Sequence, residues 1–276
     1  MSEALNRSAK IITTLGHIPA VGAVMRWYAG RYEEGSIVRI ARGYASGMKW
    51  KRHHRYVNGY WTGIYEIDLQ QALARELKKG DVFYDLGANA GFFSLLAAKL
   101  VGPKGRVFAF EPLPENIESV REQIFVNSLD YCELIPKAVC DRSGTSSFAA
   151  AHHVSLGRID GEDYKAAKQI LTVETISLDE FVENHPRPDF IKIDVEGAEA
   201  DVLIGAGTLL SSKDAPSLLI ELHGRDKARK VEAILDSYGY LLADVFGNAL
   251  TNGASEQHYI IAYAPARWKN RKSANE

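Results

Sequence analysis

Residues 81–99, DVFYDLGANAGFFSLLAAK, pass from an apolar strand through a glycine-punctuated turn into an apolar helix, with Asp85 close to the end of the strand. Strand, tight turn and helix in that order open a parallel α/β sheet, where ligands gather outside the carboxyl ends of the strands at the point of reversed strand order. Gly87 and Gly91 are expected to let the backbone approach a ligand, and Asn89 tolerates a left-handed conformation while offering hydrogen bonds. A dinucleotide turn reads G-x-G-x-x-G, whereas here Gly87-Ala88-Asn89-Ala90-Gly91 runs on into Phe92, so the last two glycines of that pattern are missing. Asp85 points the same way. A carboxylate ahead of the loop repels a pyrophosphate and suits a ligand carrying a sulfonium or an ammonium.

Outward from this stretch the chain keeps a regular alternation. FFSLLAAKLV reads as a helix, GRVFAFE as a second strand ending in Glu111, and PENIESVREQIFVN as a second helix with Pro114 in its first turn. CELIPKAV, DFIKID and SLLIEL follow as third, fourth and fifth strands, with GYLLADV and HYIIAYA as the last two. The fold expected is α/β, a Rossmann-like, mostly parallel sheet of seven strands with helices on both faces. Between residues 141 and 176, DRSGTSSFAAA and QILTVETISL read as extra strands around the polar loop GRIDGEDYKAAK, an inserted β segment. Glu111, at the second strand tip, is placed to accept the two ribose hydroxyls of an adenosine. An acid at each of the first two tips, with a glycine turn between them, suits S-adenosyl-L-methionine, which carries both an adenosine and a sulfonium.

Composition narrows the class without naming a partner. The 276 residues are 46% hydrophobic and 25% charged with a net charge of −2, as in an ordinary soluble protein with one large core. Cys132 and Cys140 are the only cysteines, too few for a disulfide framework or a zinc cluster, and are read as reduced thiols of a cytoplasmic protein. Ile11 to Met25 holds no formal charge, but 15 residues broken by Pro19 fall short of the roughly 18 that span a bilayer. Its apolar positions are expected to cover the core or to meet a second copy in a homo-oligomer. The basic run MKWKRHHRY and the tail RWKNRK carry no nucleic-acid motif, and the net charge is wrong for phosphate binding, so no nucleic-acid partner is expected. His53-His54 and His152-His153 lack the further ligands of a metal site.

The runs DVFYDLGANAGFFSLLAAK, VFAFEPLPENIESVREQI, KAVCDRSG, DFIKIDVEGAEADVLIGA and LLIELHG resemble the FkbM-type methyltransferases over about residues 64 to 245. The resemblance implies that Asp85, Gly87, Asn89 and Gly91 hold the methionine end of S-adenosylmethionine and Glu111 its ribose. Pro112 and Leu113 would lie against the adenine, and Ala138, Val139 and Asp141 at the adenine edge. It also implies a domain over 64–265, preceded by an extension (1–63) and followed by a basic tail (266–276).

The fourth and fifth strand tips would face the acceptor. Alternation places Ile191 and Ile193 on one face of the strand and Lys192 and Asp194 on the other, and sets Glu221 and His223 on a shared face. His223 is the first candidate for a general base, oriented by Glu221, Glu196 or Asp194. A competing reading groups those four residues around Mg²⁺; the expectation adopted is no metal. Asp194-Val195-Glu196-Gly197 stands where amine methyltransferases carry Asp/Asn-Pro-Pro-aromatic, which favours a hydroxyl acceptor on a sugar or small secondary metabolite. Residues 36 to 65, with Trp50, Tyr60, Trp61 and Tyr65, are expected to form a lid over the cleft. The alternatives are an NAD-dependent oxidoreductase on the same fold, a nucleic-acid methyltransferase, and a non-catalytic module that binds the cofactor.

Overall fold

The computed structural model describes residues 32–56, 58–150, 157–159, 169–251 and 253–268. Two short strands, β1 (Ile37–Arg39) and β2 (Lys49–Lys51), form an antiparallel hairpin. After a 3-10 turn at Tyr60–Thr62 come α1 (Ile67–Glu76), β3 (Val82–Leu86), α2 (Phe92–Val101), β4 (Arg106–Phe110), α3 (Pro114–Asn127) and β5 (Cys132–Ile135). The chain continues through β6 (Ala138–Val139), β7 (Gly144–Ala150), β8 (Gly157–Ile159), β9 (Gln169–Ile176), α4 (Leu178–Asn184) and β10 (Phe190–Ile193). It ends with α5 (Glu199–Ile204), α6 (Gly207–Leu210), β11 (Ser217–Glu221), α7 (Arg225–Ser237), β12 (Leu241–Ala243) and β13 (Tyr259–Tyr263).

Seven strands make the main sheet in the order β12-β13-β11-β10-β3-β4-β5, parallel except where β13 runs against β11 and β12. From β3 the chain steps outward to β4 and β5, and from β10 it steps the other way to β11. The switch point therefore lies between β3 and β10, and the tips of those two strands open on it. Strands buried on both faces explain the apolar runs: Tyr84 and Leu86 enter one core layer and Phe83 the other. Ile191 and Ile193 likewise share the first layer. The helix α3 starts with Pro114 in its first turn, where a missing N–H costs nothing, and stops at Ser128 with φ +53°.

The third strand departs from the expectation. CELIPKAV is two strands: β5 closes the edge of the main sheet, and β6 turns away to pair with β9. Pro136 between them cannot donate a ladder hydrogen bond, so the strand breaks there. β6, β9, β7 and β8 form a second, four-stranded sheet from the inserted segment. Gly157–Ile159, expected in the polar loop, pairs as β8 with β7. The rest of that loop, the His152-His153 pair, the apolar stretch 11–25 and the tail beyond Trp268 lie outside the described residues. Both cysteines are free and buried.

Residues 36 to 65, expected as a lid, are docked against the domain. Trp50 and Tyr60 are buried, with ring centroids 5.1 Å apart and 6.1 and 5.5 Å from Phe92 of α2. The backbone of β2 is held by α3: Gln123 Oε1 accepts from Lys51 N at 2.9 Å, and Asn127 Oδ1 from Lys49 N at 2.8 Å. The basic run is spent on the same surface. Lys51 pairs with Glu122 at 2.5 Å, His53 lies between Glu34 and Glu122, and the Arg52 guanidinium sits 3.6 Å from the Tyr32 ring centroid. Arg55 donates to the Glu115 carbonyl, and in the C-terminal run Arg267 pairs with Asp189 at 3.1 Å. No helix among the described residues is long and apolar enough to cross a membrane.

Candidate active site

The two glycines of the first turn serve the protein's own packing. Gly87 has φ +78°, and a Cβ placed on it would lie 1.9 Å from the Asp194 carbonyl oxygen, so the bare Cα is what lets the tips of β3 and β10 meet. Asp194 N donates to the Leu86 carbonyl at 3.1 Å across that junction. A Cβ on Gly91 would meet Val120 Cα of α3 at 3.3 Å. Both were expected to leave room for a ligand; in each case the space is taken by neighbouring protein. Between them Asn89 adopts φ +51°, and its buried Oδ1 has no hydrogen-bond partner.

Asp85 is wholly buried, which was not expected of a residue meeting the ligand. Its Oδ2 accepts from Ser94 Oγ at 2.5 Å and its Oδ1 lies 3.5 Å from Lys192 Nζ. Lys192 donates to Asp194 Oδ2 at 3.1 Å, bridging the first and fourth strand tips. Burial works against the ammonium, yet Asp194 and Asp85 together outweigh it and hold its pKa above the ordinary lysine value. Alternation had put Lys192 beside Asp194, but its part in the site was missed. A lysine inside an apolar strand needs a carboxylate partner, and that was the available signal.

Glu111 lies where the sequence placed it. Its Oε2 accepts from Asn89 N at 2.8 Å and its Oε1 from Leu113 N at 2.9 Å, so one carboxylate ties the first turn to the start of α3. Asn116 also bonds it, and Asn116 in turn accepts from Tyr56 Oη at 2.7 Å. Burial pushes the Glu111 carboxyl up to about 7, against the pull of those hydrogen bonds. Leu113 and Ala138 form a small apolar cluster with Val173, and Pro112 lies half-buried between Glu111 and Leu113. Val139 belongs to the main core instead, and Asp141 Oδ1 accepts from Cys140 Sγ at 3.2 Å. Ala138 and Val139 alternate along β6, so their side chains enter different apolar clusters.

At the β10 and β11 tips, Asp194, Glu196 and His223 come together as expected, each offering an atom within 4.8 Å of the others. Glu196 has φ +55° ahead of Gly197 at φ +103°, the sharp turn into α5. His223 Nε2 lies 3.3 Å from Glu196 Oε2 and 3.6 Å from Glu221 Oε1. Its Nδ1 is bonded to Glu199 Oε1 at 2.9 Å, so the orienting residue is Glu199, which sequence reasoning had seen only as a helix start. Glu199 is fully buried and also accepts from Gly197 N at 2.8 Å. Burial opposes a charged imidazole, but Glu196, Glu199 and Glu221 raise His223 to about 10. The three carboxylates thus favour the charged form of the imidazole that the sequence offered as general base. Glu221 is pushed up to about 8 by burial and by Asp194. From the opposite wall Glu66, with φ +42°, accepts from Tyr259 Oη at 3.2 Å; no local pattern had marked either residue.

Residues 85–242, from this first acid to the edge strand β12, match the Methyltransferase FkbM domain family. The chain belongs to the FkbM methyltransferase family. It is 29% identical over 174 residues to the hexuronic acid methyltransferase AglP of Haloferax volcanii, covering 62% of this chain and 67% of that protein. It is 26% identical over 204 residues to the 2-O-methyltransferase NoeI of Sinorhizobium fredii, covering 66% of this chain and 77% of that one. Among solved structures, a SAM-dependent O-methyltransferase of Thermotoga maritima aligns with 86% of this chain and 80% of its own, at 12% identity and a TM-score of 0.44. As an FkbM methyltransferase the chain is dependent on S-adenosylmethionine. The residues present fit that group: the unpartnered Asn89 Oδ1, the fixed Glu111 carboxylate and the apolar Leu113–Ala138 patch lie along one side of the switch point.

Proposed function

We propose that this FkbM methyltransferase methylates a hydroxyl of a small sugar-type acceptor or a hydroxylated secondary metabolite. The observation that carries the reading is the convergence of Asp194, Glu196, Glu221 and His223 outside the fourth and fifth strand tips, a wall of side chains suited to hydroxyl groups. The activities named for AglP and NoeI, on a hexuronic acid and at a 2-O position, support a sugar. S-adenosylmethionine, when bound, supplies an electrophilic methyl on a sulfonium. In this reading Glu111 accepts the ribose hydroxyls, Pro112, Leu113 and Ala138 flank the adenine, and Asn89 with the turn from Gly87 to Gly91 meets the methionine end. Asp85 acts from below by fixing Lys192. The acceptor hydroxyl is held in line at Asp194, and its proton passes to the ionised form of Glu221 on the neighbouring tip, so transfer should rise with pH through about 8. Residues 64–265 form the catalytic domain, with segment 36–65 as a fixed wall.

Calorimetric titration with S-adenosylhomocysteine and NAD tests the cofactor side. The sulfur nucleotide is expected to bind and NAD to be silent, and Glu111→Ala to weaken binding about 10- to 100-fold through the loss of charged hydrogen bonds. NAD binding, or indifference to the substitution, would overturn the assignment of Glu111. Labelled methyl transfer to hexuronic acid glycosides and to matched amino sugars tests the acceptor side; transfer to the amines alone would sink O-methylation.

A pH series adds an independent check. Ionised Glu111 accepts the ribose hydroxyls, and the protonated form loses that acceptor, so affinity for S-adenosylhomocysteine should be greatest above the Glu111 pKa of about 7 and fall as pH drops through it. Binding should release a proton in that window. Glu111→Gln should flatten the profile, and a wild-type profile already flat across it would contradict the assignment.

A further inference from the structure

We infer that Asp194, Glu196 and His223 form a binding site for a divalent cation of the Mn²⁺ or Mg²⁺ kind at the mouth of the cleft. One ligand atom from each lies within 4.8 Å of the others, close enough for a single ion to reach all three. The site is built by tertiary structure: Asp194 ends β10, Glu196 sits in the turn before α5, and His223 follows β11.

Glu199 makes the set more than a cluster of acids. Buried at the start of α5, it takes His223 Nδ1 at 2.9 Å and leaves Nε2 facing Glu196, the arrangement of a carboxylate that orients a metal-bound imidazole. Its second oxygen, Oε2, is buried with no hydrogen-bond partner. A buried carboxylate left half-satisfied is costly, and the single charge of the His223 imidazolium is shared among Glu196, Glu199 and Glu221. Lys192 is committed to Asp194 and Asp85. Two carboxylates make the set mainly oxygen, which suits Mn²⁺, and the single imidazole leaves Mg²⁺ the weaker competitor.

On binding, the ion takes the place of the proton between His223 Nε2 and Glu196, and that proton leaves to solvent. Three protein ligands leave coordination positions open for oxygens of the acceptor. That use rests on the hydroxyl acceptor proposed above; the binding of the ion does not.

Electron paramagnetic resonance of the full chain titrated with Mn²⁺ tests the site. One Mn²⁺ per chain is expected, displaced by Mg²⁺, with nitrogen modulation from a single imidazole in the wild-type spectrum. Glu196→Gln and His223→Gln should each weaken binding at least tenfold, and Glu199→Gln about 10- to 100-fold, as for a lost orienting partner. Each variant is checked for S-adenosylhomocysteine binding to show that it is folded. Wild-type Mn²⁺ binding without nitrogen modulation, or affinity unchanged in Glu196→Gln, would overturn the site. Absence of Mn²⁺ binding alongside intact S-adenosylhomocysteine binding sinks the cation site alone, whereas Mn²⁺ binding without the nucleotide sinks the cofactor reading and leaves the cation site standing.

Discussion

Gly87→Ala is expected to lower thermal stability by about 5–15 °C and to abolish measurable binding of S-adenosylhomocysteine, although the change adds one methyl group. The added Cβ would sit 1.9 Å from the Asp194 carbonyl oxygen and 3.0 Å from its carbonyl carbon, so backbone meets backbone and no rotamer relieves the clash. The φ of +78° adds a left-handed penalty of about 1–2 kcal/mol, and overpacking adds about 1–3 kcal/mol. A loss of that size corresponds to the stated fall in melting temperature for a domain this large. The tips of β3 and β10 must part, which carries Lys192 away from Asp85 and shifts Asp194 at the centre of the cleft. Gly80→Ala is the control. It has a comparable φ of +94° but nothing within 4 Å of the added methyl, so only the conformational penalty remains. Equal losses in the two variants would show that the contact with Asp194 is not what constrains Gly87.

Lys192→Met is expected to cost about 3–5 kcal/mol, the usual loss when one partner of a buried ion pair is removed and the other stays. The Lys192 side chain is 4% exposed and Asp85 0%, so no water can replace the ammonium beside Asp85. Asp194 keeps 25% side-chain exposure and can be partly rehydrated. The double variant Lys192→Met with Asp85→Asn should therefore recover a large part of the loss, while pairing Lys192→Met with Asp194→Asn should recover less. Urea unfolding of the wild type, the three single variants Lys192→Met, Asp85→Asn and Asp194→Asn, and the two double variants measures this directly. Additive losses in Lys192→Met/Asp85→Asn would mean that the two residues are not coupled, and would remove the link between the first strand tip and the acceptor side of the site.

The alternation of strand and helix was legible because burial on both faces of a parallel sheet demands continuous apolar runs, and those runs end in the acids Asp85, Glu111 and Asp194. The starts of α3 at Pro114 and of α5 at Glu199 were legible for local reasons, a fixed φ and a sharp glycine turn. The expected grouping of Asp194, Glu196, Glu221 and His223 also followed from strand ends alone. The hidden features depend on which segments become neighbours. Pro136 is plain in the sequence, but the sheet joined by the two residues after it depends on β9, over thirty residues further on.

Sequence by itself determined the class of fold and the positions of the strand-tip acids, because both are written in short-range periodicity and spacing, and it carried the motifs by which the chain resembles its family. Only the tertiary structure decided what those acids do. It set Lys192 between Asp85 and Asp194, closed Gly87 against the Asp194 carbonyl, and gave His223 Nδ1 to Glu199. The physical reason is that the charge state of a buried group is set by burial and by neighbours within a few ångströms, and the strand order brings those neighbours from distant parts of the chain.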